Sequence, residues 1–320
     1  MPKKILVTGA NGQLGSEIRS LVRSDELGVM NDEKENNSKL KTQNSKFYFT
    51  DKDELDITDE TAVRSFVEAN GIDTIINCAA YTAVDKAESE PEAADAINHL
   101  AVEILARLAK ERGMAMVHVS TDYVFDGKNY RPYVEEDDVA PQGVYGATKL
   151  LGERAMQAID PARSIIIRTS WVYSSYGANF VKTMLRLGKE RDELGVIFDQ
   201  VGTPTYAKDL AEAILRIVMS DELRVMNEKT IQNSTLNTQH SVGVYHYSNE
   251  GVASWYDFAK TIFEIAGIEC HVKPIETKEY PTPAIRPHYS VLNKGKIKKT
   301  FGISIPYWKD SLEGMLSCEL

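Results

Sequence analysis

Short apolar runs alternate with helix-length amphipathic segments through the first half of the chain. In order they are KKILVTG then NGQLGSEIRSLV, KFYFT then TDETAVRSFVEAN, DTIINCAA then EPEAADAINHLAVEILARLAKERG, MAMVHVST then YGATKLLGERAMQ, and SIIIRTSWVY. Strands that are apolar throughout belong in a sheet covered on both faces, and β-then-α order makes that sheet parallel. The pattern predicts an α/β, doubly wound Rossmann domain over residues 1–171 and a smaller substrate lobe over 172–320. Beyond Trp171 the rhythm loosens into helices at 177–191, 206–220 and 254–267, separated by loops such as DQVGTPT and EYPTPAIRP. VYHYSN, Val244 to Asn249, is strand-like, so part of the second half returns to the sheet.

Two segments interrupt this rhythm. SDELGVMNDEKENNSKLKTQNS (24–45) and SDELRVMNEKTIQNSTLNTQHS (220–241) align without a gap, each between a predicted helix and a predicted strand. Their polar composition buries too little surface to offset ordering entropy, which predicts solvent-exposed, mobile insertions. A repeat architecture needs at least about three tandem units. The pair reads as duplicated loop material, with a docking element as the alternative.

Composition narrows the class. With 42% hydrophobic and 26% charged residues, the chain falls in the ordinary globular range. Its 37 Lys+Arg against 47 Asp+Glu give a net charge of -10, which disfavours nucleic acid as a partner. No run approaches the roughly 18 to 20 apolar residues that span a bilayer, and MPKKILVTGA reads as a first strand rather than a signal peptide. Cys78, Cys270 and Cys318 lack metal-type or CxxC spacing, so a cytoplasmic protein without disulfides is expected.

Candidate chemistry starts at Thr8-Gly9-Ala10-Asn11-Gly12-Gln13-Leu14-Gly15, between the first strand and the first helix. Gly9 permits a tight turn, Gly12 lets a pyrophosphate approach backbone N–H groups, and Gly15 lets helix and sheet pack closely. The expected ligand is a nicotinamide dinucleotide. Asp51 ends the second strand and is placed to bind the adenosine diol, while Lys52 beside it leaves NADH and NADPH both open. The first insertion lengthens the stretch between Gly15 and Asp51 beyond the usual spacing of about 20 residues.

Thr121 ends the strand MAMVHVST, and Tyr145 and Lys149, four apart, share one face of the helix after it. A fixed cation stabilises phenolate, so Lys149 is expected to lower the Tyr145 phenol from its usual value of about 10. Tyr145 then donates a proton to a carbonyl oxygen while Thr121 donates a hydrogen bond to the same atom. These residues describe carbonyl reduction.

The glycine loop, NCAAYTAVDKAESEPE (Asn77 to Glu92), HVSTDYVFDG (His118 to Gly127), YGATKLLGE (Tyr145 to Glu153), RTSWVYSSYGANFVKTMLRL (Arg168 to Leu187), DQVGTPT (Asp199 to Thr205) and YPTPAIRP (Tyr280 to Pro287) together resemble the dTDP-4-dehydrorhamnose reductase family. The resemblance covers nearly the whole chain apart from the insertions. It implies reduction of dTDP-4-dehydro-6-deoxy-L-mannose to dTDP-L-rhamnose by NADPH or NADH. It also implies cofactor contacts from Asn11-Gly12-Gln13, Asp56-Ile57 and Ala80-Tyr81-Thr82, with Tyr145 and Lys149 completing the set. Thr121 and Asp122 would hold the sugar near its carbonyl, and Trp171 would wall its pocket, unless that indole is a plain core aromatic. Arg286 has two readings, as a bidentate partner of the substrate diphosphate or as an anchor for the C-terminal loop.

Two departures refine the resemblance. Some members of that family dimerise through magnesium held by acidic side chains; Glu17 matches one such position, but Lys208 and Lys309 stand at the others. Ammonium groups offer magnesium no ligand, so no metal site is expected and any homodimer forms without that bridge. Nucleotide-sugar 4,6-dehydratases carry Asp-Glu after the strand-end Thr, whereas Asp122-Tyr123 follows it here. That leaves a 4-epimerase, another 4-reductase or a non-catalytic regulatory subunit, like the relative that binds a methionine adenosyltransferase, as the competing readings.

Overall fold

The computed structural model describes residues 2–26, 42, 45–220 and 242–319. Both polar insertions lie largely outside the described residues. The strands are β1 (Lys4–Thr8), β2 (Lys46–Thr50), β3 (Thr74–Asn77), β4 (Ala115–Thr121), β5 (Ile165–Thr169), β6 (Glu193–Ile197), β7 (Gly243–His246) and β8 (His271–Ile275), besides several two-residue bridges. Six of them form one parallel sheet in the order β7-β5-β4-β3-β1-β2. β1 has β2 on one side and β3 on the other, so successive crossovers cover opposite faces and a crevice opens at the carboxyl ends of β1 and β3. Beside β5, Gly243–His246 adds the returning strand expected from VYHYSN.

The principal helices are α1 (Gln13–Glu26), α2 (Glu60–Asn70), α3 (Val84–Ala87), α4 (Pro91–Asp95), α5 (Ala101–Arg112), α6 (Val144–Ile159), α7 (Phe180–Glu190), α8 (Ala207–Met219), α9 (Trp255–Ala266), α10 (Gly295–Phe301) and α11 (Trp308–Glu319). One face of the sheet buries Ile5, Val7 and Ile167 against Ile18, Leu21, Leu210 and Ile214 of α1 and α8. The other buries Leu6, Ile75, Met116 and Ile166 against Val67, Val102, Leu105 and Met156 of α2, α5 and α6. Both faces are covered, which is why the strands read as continuous apolar runs. A separate core of Val181, Val196, Phe258, Ile262, Leu312 and Leu316 holds the second lobe together, with β6 and β8 paired in parallel beneath α9. That short pair carries little signal of its own, since ELGVI and HVKPI are half polar and one contains proline.

Between α4 and α5 the chain makes a π turn, Ala96–Leu100, against which α6 packs. The approach is backbone to backbone: a Cβ at Gly152 would lie 2.2 Å from the Asn98 carbonyl oxygen. Replacing a helical glycine by alanine ordinarily gains about 1 kcal/mol. At Gly152 the collision reverses the sign, and Gly152→Ala should lose about 1–3 kcal/mol in urea unfolding. A stabilised variant would show that α6 does not sit this close.

Candidate active site

At the carboxyl edge of the sheet lies a cleft of about 1020 Å³. Its floor is the turn after β1. Gly9 has φ of 63°, and a Cβ there would lie 2.6 Å from the Ala79 nitrogen; a Cβ on Gly15 would lie 2.4 Å from the Gly9 carbonyl. Only glycine allows loop, helix and neighbouring strand end to come together this closely. Gly9, Asn11, Gly12, Gln13, Leu14, Gly15, Asp51, Asp56, Ile57, Ala80 and Thr82 all line the cleft. Asp51 accepts the Asn11 N–H at 2.9 Å and the Lys52 N–H at 2.8 Å, so the intervening insertion leaves it beside the glycine loop. Hydrogen bonds from the Thr58 hydroxyl and N–H hold the Asp56 carboxyl below its usual range.

Tyr81 is placed differently from its neighbours. Its phenol donates to Glu90 at 2.6 Å, and its backbone N–H and carbonyl are both taken by the amide of Asn98. Asn98 thereby fixes the backbone of the Ala80–Thr82 turn, of which Ala80 and Thr82 line the cleft.

At the other end β4 delivers Thr121 and Asp122, while α6 delivers Tyr145 and Lys149, and all four line the cleft. The Thr121 hydroxyl donates to Asp122 Oδ1 at 3.0 Å. The Tyr145 phenol is pushed up to about 12, because burial outweighs the lowering influence of the Thr121 hydroxyl, and the expected lowering by Lys149 is not found. The reason is geometric: Lys149 Nζ donates to the Val119 carbonyl at 2.6 Å and meets His118 Nε2 at 3.4 Å. Burial lowers Lys149 to about 8, opposed by the charge of Glu153. Burial likewise pushes Asp122 up to about 7, and its Oδ2 has no hydrogen-bond partner.

Trp171 lines the cleft and is also packed, its ring stacked on Trp255 with centroids 3.5 Å apart. Its φ of 49° is in the left-handed region, a strained conformation for a bulky residue that the stack and the Thr205 N–H to Trp171 carbonyl bond sustain. Arg286 forms a bidentate pair with Asp85 of α3 at 2.9 and 2.7 Å, and Asp85 also accepts the Ala284 N–H at 3.2 Å, which ties this loop to α3.

A family model described as RmlD substrate binding domain matches residues 3–319. The chain belongs to this family, that of the dTDP-4-dehydrorhamnose reductases. A relative of that name from Aggregatibacter actinomycetemcomitans is 41% identical over 98% of each chain. Among solved structures, a dTDP-4-dehydrorhamnose reductase from Clostridium acetobutylicum superposes with a TM-score of 0.82 at 42% identity, covering 99% of each chain. One from Bacillus anthracis, solved in complex with NADP, gives 0.81 at 36% identity, again over 99% of each.

Within this reductase family framework, Glu17 is buried, its carboxyl raised by desolvation and bonded by the Ser174 hydroxyl at 2.6 Å. Among the described residues no group of three or more His, Cys, Asp or Glu could hold a metal ion. Several residues that hold the cleft lining in place escaped the sequence reading: Asn98, His118, Asp85, Trp255 and the pair Glu153–Arg168. Glu153 was findable, since it continues the Tyr145, Lys149 spacing by four more residues along the same helical face. It takes two hydrogen bonds from Arg168 Nε at 3.0 and 3.2 Å, one from Nη2 at 2.7 Å and another from Ser120, with both charged side chains almost fully buried. Glu153→Gln leaves the Arg168 cation buried without a counter-charge and should cost about 3–5 kcal/mol in chemical denaturation. A change near zero would show that the pair does not support the site.

Proposed function

We propose that this chain reduces the 4-keto group of dTDP-4-dehydro-6-deoxy-L-mannose to give dTDP-L-rhamnose, using NADPH or NADH. The observation that carries the reading is that Thr121, Tyr145 and Lys149 line the same cleft as the glycine loop. The relatives supply the sugar and the cofactor class.

The residues present fit a dinucleotide. Gly12 lines the cleft with its backbone bare, the Asp51 carboxylate is placed for a ribose diol, and Lys52 beside it accommodates a 2'-phosphate. When bound, the reduced nicotinamide supplies a hydride to the carbonyl carbon. Tyr145 gives its proton to the carbonyl oxygen; with its phenol at about 12 it stays protonated at neutral pH until charge develops on that oxygen. Thr121 donates a second hydrogen bond to the oxygen, and the Lys149 ammonium holds the ribose. Asp122 Oδ2, buried and unpartnered, is an acceptor for a sugar hydroxyl, and Trp171 walls the sugar. Elimination of water lacks its second carboxyl group, since Tyr123 packs edge-on against the Tyr145 ring at 5.4 Å. Three unpaired cysteines suit a reducing cytoplasm, the compartment this reading implies.

Mixing the protein with the keto sugar and NADPH or NADH should consume reduced cofactor one for one with product, followed by its absorbance. Cofactor recycled without net loss would favour an epimerase, and no turnover a binding subunit. Tyr145→Phe should lower kcat by about 10² to 10⁴ while the cofactor Kd changes little. Full activity in that variant removes Tyr145 as the proton donor.

A further inference from the structure

Thr8, Asn77 and His118 form one cross-strand row through β1, β3 and β4, near the carboxyl ends of the strands. All three are buried. Thr8 Oγ1 lies 2.7 Å from the Asn77 amide, whose other end lies 3.1 Å from His118 Nδ1. His118 Nε2 in turn meets Lys149 Nζ at 3.4 Å. Polar side chains in the middle of a parallel sheet cost stability unless each is hydrogen-bonded, and this row is bonded from end to end.

The chemistry of the Lys149 end orients the whole row. An ammonium only donates, so Nε2 is the acceptor. Burial and the nearby Lys149 charge hold His118 well below the usual histidine range, so the imidazole is neutral and carries its proton on Nδ1. Asn77 must then turn its carbonyl oxygen to Nδ1 and its amide nitrogen to Thr8, an exchange of amide ends that leaves both contacts in place. Lys149 spends a second donor on the Val119 carbonyl and keeps the third for the cleft that it lines.

We propose that His118 is a positioning residue for the carbonyl reduction: its Nε2, backed by Asn77 and Thr8, aims the Lys149 ammonium at the cleft. The assignment rests on Lys149 having the role given under Proposed function. The other titratable or charged groups facing Lys149 are Glu153 on α6 and Cys78 after β3, with Arg168 on β5 joined through its pair with Glu153; Tyr145 and Asp122 line the same cleft. Cys78 is pushed up to about 12 and stays a neutral thiol, and Glu153 is taken up by Arg168 and Ser120. His118 and the Val119 carbonyl are the acceptors that Lys149 reaches.

The test compares His118→Leu and His118→Phe, which remove the acceptor, with His118→Gln, which restores an oxygen at similar reach. Each variant that unfolds cooperatively is assayed for kcat, cofactor KM and the titration of Lys149. That titration is followed by NMR of isotopically labelled lysine, with Lys149→Met identifying the signal. In the leucine or phenylalanine variant kcat should fall about tenfold or more, cofactor KM should rise, and the Lys149 titration should move down by about one pH unit, since the charged form loses an acceptor. Glutamine should recover most of all three. An unmoved titration in a folded leucine or phenylalanine variant, or equal losses in the glutamine variant, would overturn the proposal. Absence of keto-sugar reduction by the unaltered protein would sink the reductase reading alone, because the lysine titration still decides the role of His118.

Discussion

Burial of the Lys149 ammonium governs the arrangement of the active-site end of this molecule. A cation at 2% exposure must be compensated by protein groups rather than by water. The Val119 carbonyl and His118 bond it directly, and Glu153 supplies the opposing charge one helical turn further on. Glu153 is itself too buried to stand alone, which draws in Arg168 and Ser120, and Arg168 lies over the Phe125 ring at 5.1 Å. One charge placed under a helix thus organises residues from β3, β4, β5 and α6.

The same economy of space explains the glycines. α6 must come close enough to β4 for Lys149 to reach Val119, and it does so because Gly146 and Gly152 let it rest on the carbonyls of Tyr123 and Asn98. The π turn at Ala96–Leu100 presents Asn98 both to that helix, through Thr148, and to the backbone of Tyr81. Asn98 thus ties α6 to the Ala80–Thr82 turn, part of which lines the cleft. Trp171, held at positive φ by its stack on Trp255, closes the opposite side and joins the second lobe to the first.

Much of this was legible from the chain alone, and for physical reasons. Strands covered on both faces are written as uninterrupted apolar runs, so the existence of β1 to β5 and the return of VYHYSN to the sheet could be read directly, though not the order in which the strands pair. Gly9, Gly12, Gly15, Thr121, Tyr145 and Lys149 were legible because their spacing within one turn or one helix encodes their geometry. What escaped depends on partners distant in sequence. Asp85 and Arg286 pair across 201 residues of sequence, and nothing local to either one announces the other. Tyr81 follows Ala80 in the motif but bonds Glu90, and the elevated Tyr145 phenol reflects burial and the tether on Lys149, neither visible in a YxxxK pattern.

Isotope transfer tests the central claim most directly. With reduced cofactor deuterated at the nicotinamide C4 position that is transferred, and the keto sugar as acceptor, the account predicts one deuterium bound to the sugar's C4 in every product molecule, seen by mass spectrometry and NMR. Product whose C4 hydrogen comes from solvent, or sugar returned unreduced with the label still on the cofactor, would contradict it.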